Sequence, residues 1–299
     1  DVVVGTPGRV IDMVKIKQKN HGTHFRRVTF VVLDEADKML DMMGFEAEVA
    51  SILQSIRPDR QTIMLSATLG TKVEKVARRW LKSAVRIAVG RTGNSSEHVT
   101  QHVMVLPNYD AKRCWIMEML PILVNVGRTI IFCATRQECD DMAQSMLDNP
   151  SIGGSGLLVG TLHGDKSQHD RNNALLAFKK GQLKALVATD VASRGLDVPN
   201  VMTVINFDVA KTLDSHVHRV GRAGRLGGDA KEKSVQQKGT AYTLLTRRDA
   251  EFAAVLKNSF QREGREISGE LLDLASKSKR HGNVSFRTHW NKSGLGMEE

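Results

Sequence analysis

Three carboxylates follow directly on an apolar run in the first part of the chain. Residues 29–37 read TFVVLDEAD, so Asp34, Glu35 and Asp37 lie within four consecutive positions at the end of a predicted strand. In open α/β sheets, ligands lie beyond the carboxyl ends of the strands. An Asp there can hold Mg²⁺, directly or through water, and a neighbouring Glu can orient and deprotonate an attacking water. The alternative is an acidic helix N-cap, which requires only one carboxylate.

A second charged cluster, at residues 218–225 (HRVGRAGR), is basic. Arg219, Arg222 and Arg225 recur at every third residue, so on a helical turn they would share one face. The glycines between them remove side chains that would obstruct a bulky anion. Such a face suits a triphosphate, and an arginine finger contributes about 10³–10⁵ in rate to phosphoryl transfer. The alternative is a solvated basic helix face, which the glycines would weaken.

The elements that must position these residues alternate between short apolar runs and amphipathic stretches. The runs predict strands at residues 29–33, 62–65, 86–89, 103–106, 129–132, 157–159, 185–187 and 203–205. Their β-branched residues and their lack of alternation are typical of a parallel sheet buried on both faces. The amphipathic stretches predict helices at residues 46–56, 72–81, 114–123, 137–147 and 171–178. This order predicts βαβ crossovers and a doubly wound α/β fold.

The chain is predicted to divide at residues 90–98 (GRTGNSSEH), a polar segment typical of a flexible linker. We predict a partial domain at residues 1–89, which has too few strands to close its sheet and begins with a cut strand at 1–5. A complete domain is predicted at residues 99–268. The extension at 269–299 is predicted to be basic and disordered at its end, and residues 226–238 to form a surface loop.

Composition narrows the classes of function. With 41% hydrophobic and 25% charged residues, the chain resembles soluble globular proteins, and it has no run of about 18 apolar residues that could span a membrane. The three cysteines form no Cys-x-x-Cys pair, so neither a zinc site nor a disulfide framework is predicted. They suit a reducing, intracellular compartment. A formal net charge of +10 favours a polyanionic partner such as nucleic acid.

Five motifs, in one order along the chain, resemble those of the DEAD-box family of RNA helicases. They are residues 6–9 (TPGR), 34–37 (DEAD), 66–68 (SAT), 188–197 (ATDVASRGLD) and 218–225 (HRVGRAGR). The resemblance implies two tandem RecA-like parallel-sheet domains of the α/β class, the first truncated at its N-terminus. It also implies an ATPase that uses ATP and Mg²⁺ and that locally unwinds RNA.

The resemblance assigns roles around the nucleotide. Asp34 holds Mg²⁺ through water, and Glu35 is the general base. In the second domain, Arg222 and Arg225 reach the γ-phosphate when the two domains close. Nucleotide contacts are also implied for Gly195 and for Asp197, which contacts the ribose. Coupling of hydrolysis to strand separation is implied for Ser66, Thr68, Asp37 and His218. A Ser/Thr turn at a strand end is the alternative for Ser66 and Thr68.

On the RNA side, the resemblance implies contacts from Thr6, Gly8 and Arg9 in the first domain and from Thr135, Gly164, Gln168, Arg171 and Thr189 in the second. Hydroxyls, glycine backbone and isolated arginines suit phosphate and 2′-OH oxygens rather than base edges. Because only 5% of the residues are aromatic, base stacking is not expected to be the main mode. A monomer that binds single-stranded RNA or a short duplex without sequence preference is therefore predicted.

The chain departs from the family pattern in one important respect. It contains no Gly-Lys dipeptide, so it has no Gly-x-x-x-x-Gly-Lys-Ser/Thr phosphate loop. We therefore expect a fragment of a longer gene product that is inactive alone. Residues 204–209 and 270–275 look most like the splicing-associated branch, which suggests spliceosomal or other RNP partners and favours the nucleus over the cytoplasm. A general RNA-remodelling helicase, a non-catalytic RNA-binding scaffold and a DNA translocase are the alternatives.

Overall fold

The structure is a computed structural model that describes residues 2–15, 25–41, 45–66, 71–87, 99–190, 201–224 and 238–278. It separates into two units, Asp1–Gly93 and Asn94–Glu299, and the division falls inside the segment predicted as a linker. The linker residues 90–98, most of the predicted loop (226–237) and the tail from 279 onwards lie outside the described residues.

The first unit contains a parallel pair of strands and four helices. The strands are β1 (Phe30–Leu33) and β2 (Gln61–Met64), and the helices are α1 (Pro7–Lys15), α2 (Ala36–Asp41), α3 (Glu46–Ser55) and α4 (Thr71–Trp80). Leu33 packs against Val49 and Leu53 of α3. Phe30 and Val32 point to the opposite face of β1 and are 50% and 49% exposed. The prediction that β1 is buried on both faces is therefore wrong for these residues.

The second unit is built on a six-stranded sheet in the order β3-β8-β7-β4-β6-β5, with every pairing parallel. Its strands are β3 (Val99–Val105), β4 (Arg128–Phe132), β5 (Val159–Leu162), β6 (Ala185–Ala188), β7 (Val201–Asn206) and β8 (Gly239–Leu245). Strands β4, β6 and β7 are buried along their whole length. The predicted doubly buried parallel sheet is thus confirmed here.

Helices cover both faces of this sheet. They are α5 (Tyr109–Val126), α6 (Arg136–Asp148), α7 (Gln168–Lys179), α8 (Leu213–Val220), α9 (Ala250–Glu263) and α10 (Gly269–Ser276). Ile131 of β4 packs in the cluster that contains α5 and α6, whereas its neighbour Ile130 packs in the cluster that contains α7 and α8. Successive residues of a strand point to opposite faces, so a strand between two helical layers must be apolar throughout.

Helix α10 belongs to the second unit. Its residues Leu271 and Leu274 are buried against Leu256 and Phe260 of α9. The domain boundary predicted at residue 268 is therefore too early, because the first part of the predicted extension contributes to the core.

Two strand predictions are wrong where the structure can be compared with them. Residues 86 and 87 of the predicted strand 86–89 have no regular structure, and Ile87 is 81% exposed. Residues 2–5 are likewise irregular, with Val2 and Val4 at 90% and 92% exposure. In both places a short apolar run was the only signal, and the described chain offers these residues no strand to pair with.

Side-chain caps fix the loops that follow the strands of the second unit. Each capping oxygen accepts a hydrogen bond from a backbone N–H in the first turn of the following helix. The capping residues are Asn108, Thr135, Ser167 and Thr212, which follow β3, β4, β5 and β7, at the starts of α5, α6, α7 and α8. Each such cap contributes about 1 kcal/mol to stability. The caps therefore hold the polar residues at the carboxyl edge of the sheet in defined positions.

Candidate nucleotide and RNA sites

The acidic segment lies directly beyond the carboxyl end of β1. Asp34 is exposed, and its Oδ1 accepts a hydrogen bond of 2.9 Å from the backbone N–H of Glu35. Glu35 has a φ of 51°, in the left-handed region that residues with a Cβ seldom adopt. Such conformations cost about 1–3 kcal/mol and cluster at functional sites. An acidic cap alone would not require this backbone strain.

The segment that contains Ser66 is hydrogen-bonded to the acidic segment. The N–H of Leu65 donates to the carbonyl of Leu33 at 2.8 Å, and the N–H of Ala36 donates to the carbonyl of Leu65 at 3.0 Å. Ser66 therefore follows β2 at the same sheet edge where Glu35 follows β1. Thr68, the other coupling residue of this motif, lies outside the described residues. Asp37 is in the first turn of α2 and only 5% exposed.

The predicted RNA contacts of the first unit cluster at the beginning of α1. Thr6 precedes the helix and accepts a hydrogen bond of 3.0 Å from Val10 N–H through its carbonyl, while Gly8 and Arg9 lie in the first turn. All three residues are exposed. The structure thus places a hydroxyl, a glycine and a guanidinium on one exposed turn.

The predicted RNA contacts of the second unit gather at one edge of the six-stranded sheet. Thr135, Thr189 and Gly164 follow β4, β6 and β5, which are neighbours in the sheet. Gln168 and Arg171 lie in the first turn of α7, where Nη1 of Arg171 donates to Oε1 of Gln168 at 3.3 Å. All five predicted residues therefore share this edge, although more than fifty positions separate Thr135 from Thr189.

The prediction that three arginines share one anion-binding face is wrong for Arg219. Helix α8 ends at Val220, so Arg222 lies in the turn beyond the helix. Arg219 is buried, and its Nε and Nη2 donate to the two carboxylate oxygens of Asp190 at 2.5 and 2.9 Å. Its Nη1 donates to the carbonyl of Asp208 at 2.6 Å. The guanidinium of Arg219 is therefore engaged in hydrogen bonds within the second unit.

Of the other residues of the second unit that are predicted to contact the nucleotide, the structure describes Arg222. Arg222 is 8% exposed, and its Nε donates to the carbonyl of His218 at 3.3 Å. Arg225, Gly195 and Asp197 lie outside the described residues.

Sequence analysis missed a pair of carboxyl groups, those of Glu138 and Asp208, close to Thr135. Oδ2 of Asp208 accepts a hydrogen bond of 2.7 Å from Ala134 N–H, and Glu138 N–H donates to Oγ1 of Thr135 at 3.2 Å. Burial, together with the charge of Asp208, raises the pKa of Glu138 to about 7. The two residues are far apart in the chain, so their spacing carries no signal for this pair.

His216 is a buried residue of α8 that was not expected to matter. Its Nε2 lies 3.2 Å from Oε1 of Gln101, and its ring meets Phe252 edge-on. Burial, and secondarily the charge of Arg219, lowers the pKa of His216 to about 3. The folded unit therefore keeps this imidazole neutral.

We expect the chain to lose stability in acid because of His216. The folded pKa of about 3 lies below the ordinary value of 6.5, so the unfolded chain takes up the proton first. The stabilisation is present above pH 6.5 and falls as the pH is lowered, by about 2 kcal/mol between about pH 7 and about pH 5. Urea unfolding at the two pH values measures it. In His216→Gln this acid sensitivity should shrink, and an equally steep pH dependence in the variant would contradict the assignment.

The donor set at the acidic segment suits Mg²⁺. This cation prefers oxygen ligands and is held in phosphate sites by one or two carboxylates, together with water and phosphate oxygens. Asp34 offers such a carboxylate, exposed at the end of β1. Among the described residues, no group of three or more His, Cys, Asp or Glu side chains could hold a metal by itself.

In the same part of the chain, no helix is long and apolar enough to cross a bilayer.

Two protein-family models match the chain. The family model described as "DEAD/DEAH box helicase" matches residues 1–76, and that described as "Helicase conserved C-terminal domain" matches residues 111–227. The chain belongs to the DEAD-box helicase family. The two matched regions fall in the two units of the structure, one in each.

Curated relatives match over the whole chain. "DEAD-box ATP-dependent RNA helicase 24" of Oryza sativa subsp. japonica is 42% identical over 98% of this chain and 36% of its own length. "ATP-dependent RNA helicase DDX42" of Homo sapiens is 41% identical over 100% of this chain and 29% of its own length. The DEAD-box chain described here thus spans about a third of the length of these relatives.

Solved structures of the family share the fold. "S. cerevisiae Dbp5 bound to RNA and ADP BeF3" matches with a TM-score of 0.72 and 27% identity, over 88% of this chain and 63% of that chain. The yeast DEAD-box splicing factor Prp28 matches with a TM-score of 0.50 and 30% identity, over 94% of this chain and 59% of that chain. The predicted tandem RecA-like architecture of the α/β class is confirmed by these matches.

Proposed function

We propose that the protein carrying this chain is an RNA-stimulated ATPase that locally pulls apart short RNA duplexes. The observation that carries this proposal is the acidic segment, with Asp34 beyond the end of β1 and Glu35 held in the left-handed region. Relatives named ATP-dependent RNA helicases support it.

The acidic segment would carry out the hydrolytic step. Bound Mg²⁺ supplies neutralising charge to the phosphates, and Asp34 would hold it through water. Glu35 would orient the attacking water and accept its proton. The bond from this water to the γ-phosphorus would form as the bond from the γ-phosphorus to the β–γ bridging oxygen breaks, with ADP as the leaving group. Because Ala36 N–H donates to the carbonyl of Leu65, a shift of the acidic segment would reach Ser66 directly. This bond supports the coupling role of Ser66.

The second unit would complete the nucleotide site. We infer that Arg222 and Arg225 offset the charge that develops on the γ-phosphate, as an arginine finger does. We also infer that ATP binding closes the two units and that hydrolysis releases them, with residues 90–98 absorbing the change. Hydrolysis further requires a phosphate-binding loop, and these 299 residues contain no Gly-Lys dipeptide to form one. Alone, they are proposed to be inactive.

Sequence-independent RNA binding tests the RNA-binding part of the proposal. With about five phosphates contacted, the logarithm of the association constant should fall against the logarithm of salt with a slope of about −3.5 for single strands. Fluorescence anisotropy of a labelled RNA between about 50 and about 200 mM salt measures this slope. Two unrelated RNA sequences should give the same curve. A slope near zero would show that phosphate contacts do not lead the binding.

A second candidate is a non-catalytic RNA-binding scaffold, because these 299 residues contain no Gly-Lys dipeptide that could form a phosphate loop. It predicts the same RNA binding but no ATP turnover by any form of the gene product. A DNA translocase is separated from both by competition between ribose and deoxyribose strands, because the 2′-OH is the group that differs. Undiminished binding in the presence of excess DNA would favour an RNA-specific protein.

We further propose a role for the protein in pre-mRNA splicing, as a monomer with RNP partners in the nucleus. Similarity to a protein described as a splicing factor supports this proposal. Localisation of the tagged gene product tests it, and exclusion from the nucleus would contradict it.

A further inference from the structure

Arg136 lies between two loops of the RNA-facing edge of the second unit. It is the first residue of α6 and follows Thr135 directly. A Cβ placed on Gly164 would lie 3.5 Å from Nε and 3.6 Å from Cζ of Arg136. The guanidinium of Arg136 therefore lies next to Gly164, on the open side where a side chain would be. Gly164 is in the loop after β5, whereas the backbone of Arg136 follows β4.

The guanidinium is held in this position by a weak partner. Nη1 of Arg136 donates to Oδ1 of Asp165, the residue after Gly164. The side chains of this pair are 60% and 61% exposed. Exposed ion pairs contribute little to stability, because water and salt screen them. Another anion that reaches the guanidinium can therefore replace Asp165 at small cost.

Neighbouring cations are held by partners in the fold. Nζ of Lys166 lies 3.2 Å from Oδ1 of Asp140, which also lies 3.0 Å from Nε2 of buried His163. Arg219 is buried against Asp190. Arg136 instead combines an exposed guanidinium with a position next to Thr135 in the chain and close to Gly164.

We propose that Arg136 binds an RNA phosphate in the second unit and that Asp165 competes with this phosphate for the guanidinium. The inference rests on the proposed RNA-binding function. A phosphate that approaches the open side of Gly164 comes within reach of the Arg136 nitrogens, and a guanidinium binds phosphate in a two-point geometry that Lys cannot reproduce. Asp165 then occupies the guanidinium in the absence of RNA and is displaced when RNA binds.

Replacement of Arg136 tests the first half of the proposal. Arg136→Gln should weaken binding of a labelled single-stranded RNA by about fivefold at about 0.1 M salt and reduce the salt slope by about 0.7, the contribution of one phosphate. The matched control is Arg262→Gln, which removes the same charge. Arg262 is exposed in the last turn of α9, close to Arg265, which donates to the carbonyl of Val99 at the opposite end of the sheet. The control should bind RNA as the unaltered chain does.

Replacement of Asp165 tests the second half through the sign of its effect. Asp165→Asn removes the competing carboxylate, so RNA should bind more tightly, by up to about fivefold for an exposed pair. A pair that only stabilises the two loops predicts the opposite, namely weaker binding by both variants. Equal affinities of Arg136→Gln and Arg262→Gln, or weaker binding by Asp165→Asn, would overturn the inference.

Thermal unfolding of the variants and RNA binding by the unaltered chain distinguish a folding defect, a failure of the proposed function and a failure of this inference. Thermal unfolding should be the same for all variants, and if Arg136→Gln does not fold, the sign of the Asp165→Asn effect still decides. Failure of the unaltered chain to bind RNA at about 50 mM salt, where electrostatic binding is strong, would refute the proposed function itself. Binding by the unaltered chain without an effect of Arg136 would refute this inference alone.

Discussion

Glu35→Gln is expected to lower ATP turnover of the full-length gene product by about 10²–10⁴-fold, the usual contribution of a general base. The amide is nearly isosteric with the carboxylate but cannot accept the proton of the attacking water. RNA binding in the presence of ATP should persist, because Asp34 and the residues proposed to contact RNA are unchanged. Steady-state phosphate release, measured with and without RNA, and RNA binding by anisotropy give the two readouts.

A matched substitution separates this effect from general loss of charge. Glu74 is in the first turn of α4 and pairs with Arg78 at 3.0 Å on an exposed helix surface. Glu74→Gln should leave turnover unchanged, since an exposed pair of this kind contributes little. Undiminished turnover in Glu35→Gln would remove Glu35 from the role of base. Equal losses in both variants would point to a folding defect.

Arg219→Met is expected to destabilise the second unit by about 3 kcal/mol, the low end of the range for a buried ion pair that loses one partner. The methionine keeps much of the volume but removes the two hydrogen bonds that Arg219 donates to Asp190 and the one that it donates to the carbonyl of Asp208. The low end applies because the Asp190 side chain is 24% exposed. The Arg219→Met variant also loses a cation–π contact, in which Cζ of Arg219 lies 5.0 Å from the centre of the Phe132 ring. Urea unfolding of the chain measures the change.

A double variant shows whether the pair itself is responsible. Adding Asp190→Asn to Arg219→Met removes the charge with which Arg219 was paired, so part of the lost stability should return and the two changes should not be additive. A loss below about 1 kcal/mol in Arg219→Met would mean that the pair is solvated like a surface ion pair. Strictly additive losses in the double variant would also contradict the coupling.

Local sequence was sufficient to locate the carboxyl ends of the central strands. Runs at 129–132, 185–187 and 203–205 predicted strands, and β4, β6 and β7 are buried at these places. A strand between two helical layers must be apolar at successive positions, and that requirement is visible in a few consecutive residues. The same runs place Thr135 and Thr189 at strand ends, because each of these residues follows its strand closely in the sequence.

Strand β8 marks the limit of that reasoning. Its sequence, GTAYTLL, mixes polar and apolar residues and gave no strand prediction, although it is mostly buried. Thr243 can be buried because its hydroxyl accepts a hydrogen bond of 3.1 Å from Asn206 of the neighbouring strand. The partner that makes this burial favourable lies on another strand, so the local pattern could not reveal it.

Residue types and spacing placed Arg219 and Arg222 on one face, but packing gives them different surroundings. Arg219 and Arg222 have the same chemistry and similar neighbours in the chain, yet Arg219 is bonded to a carboxylate 29 positions earlier. Likewise, the pKa of Glu138 is raised by burial and by the charge of Asp208, which the pairing of β4 with β7 brings beside it. Local sequence specifies which groups are available and which strands they follow. The charge state and partner of a group depend on residues that are distant in the chain, since burial and electrostatic interaction act through space.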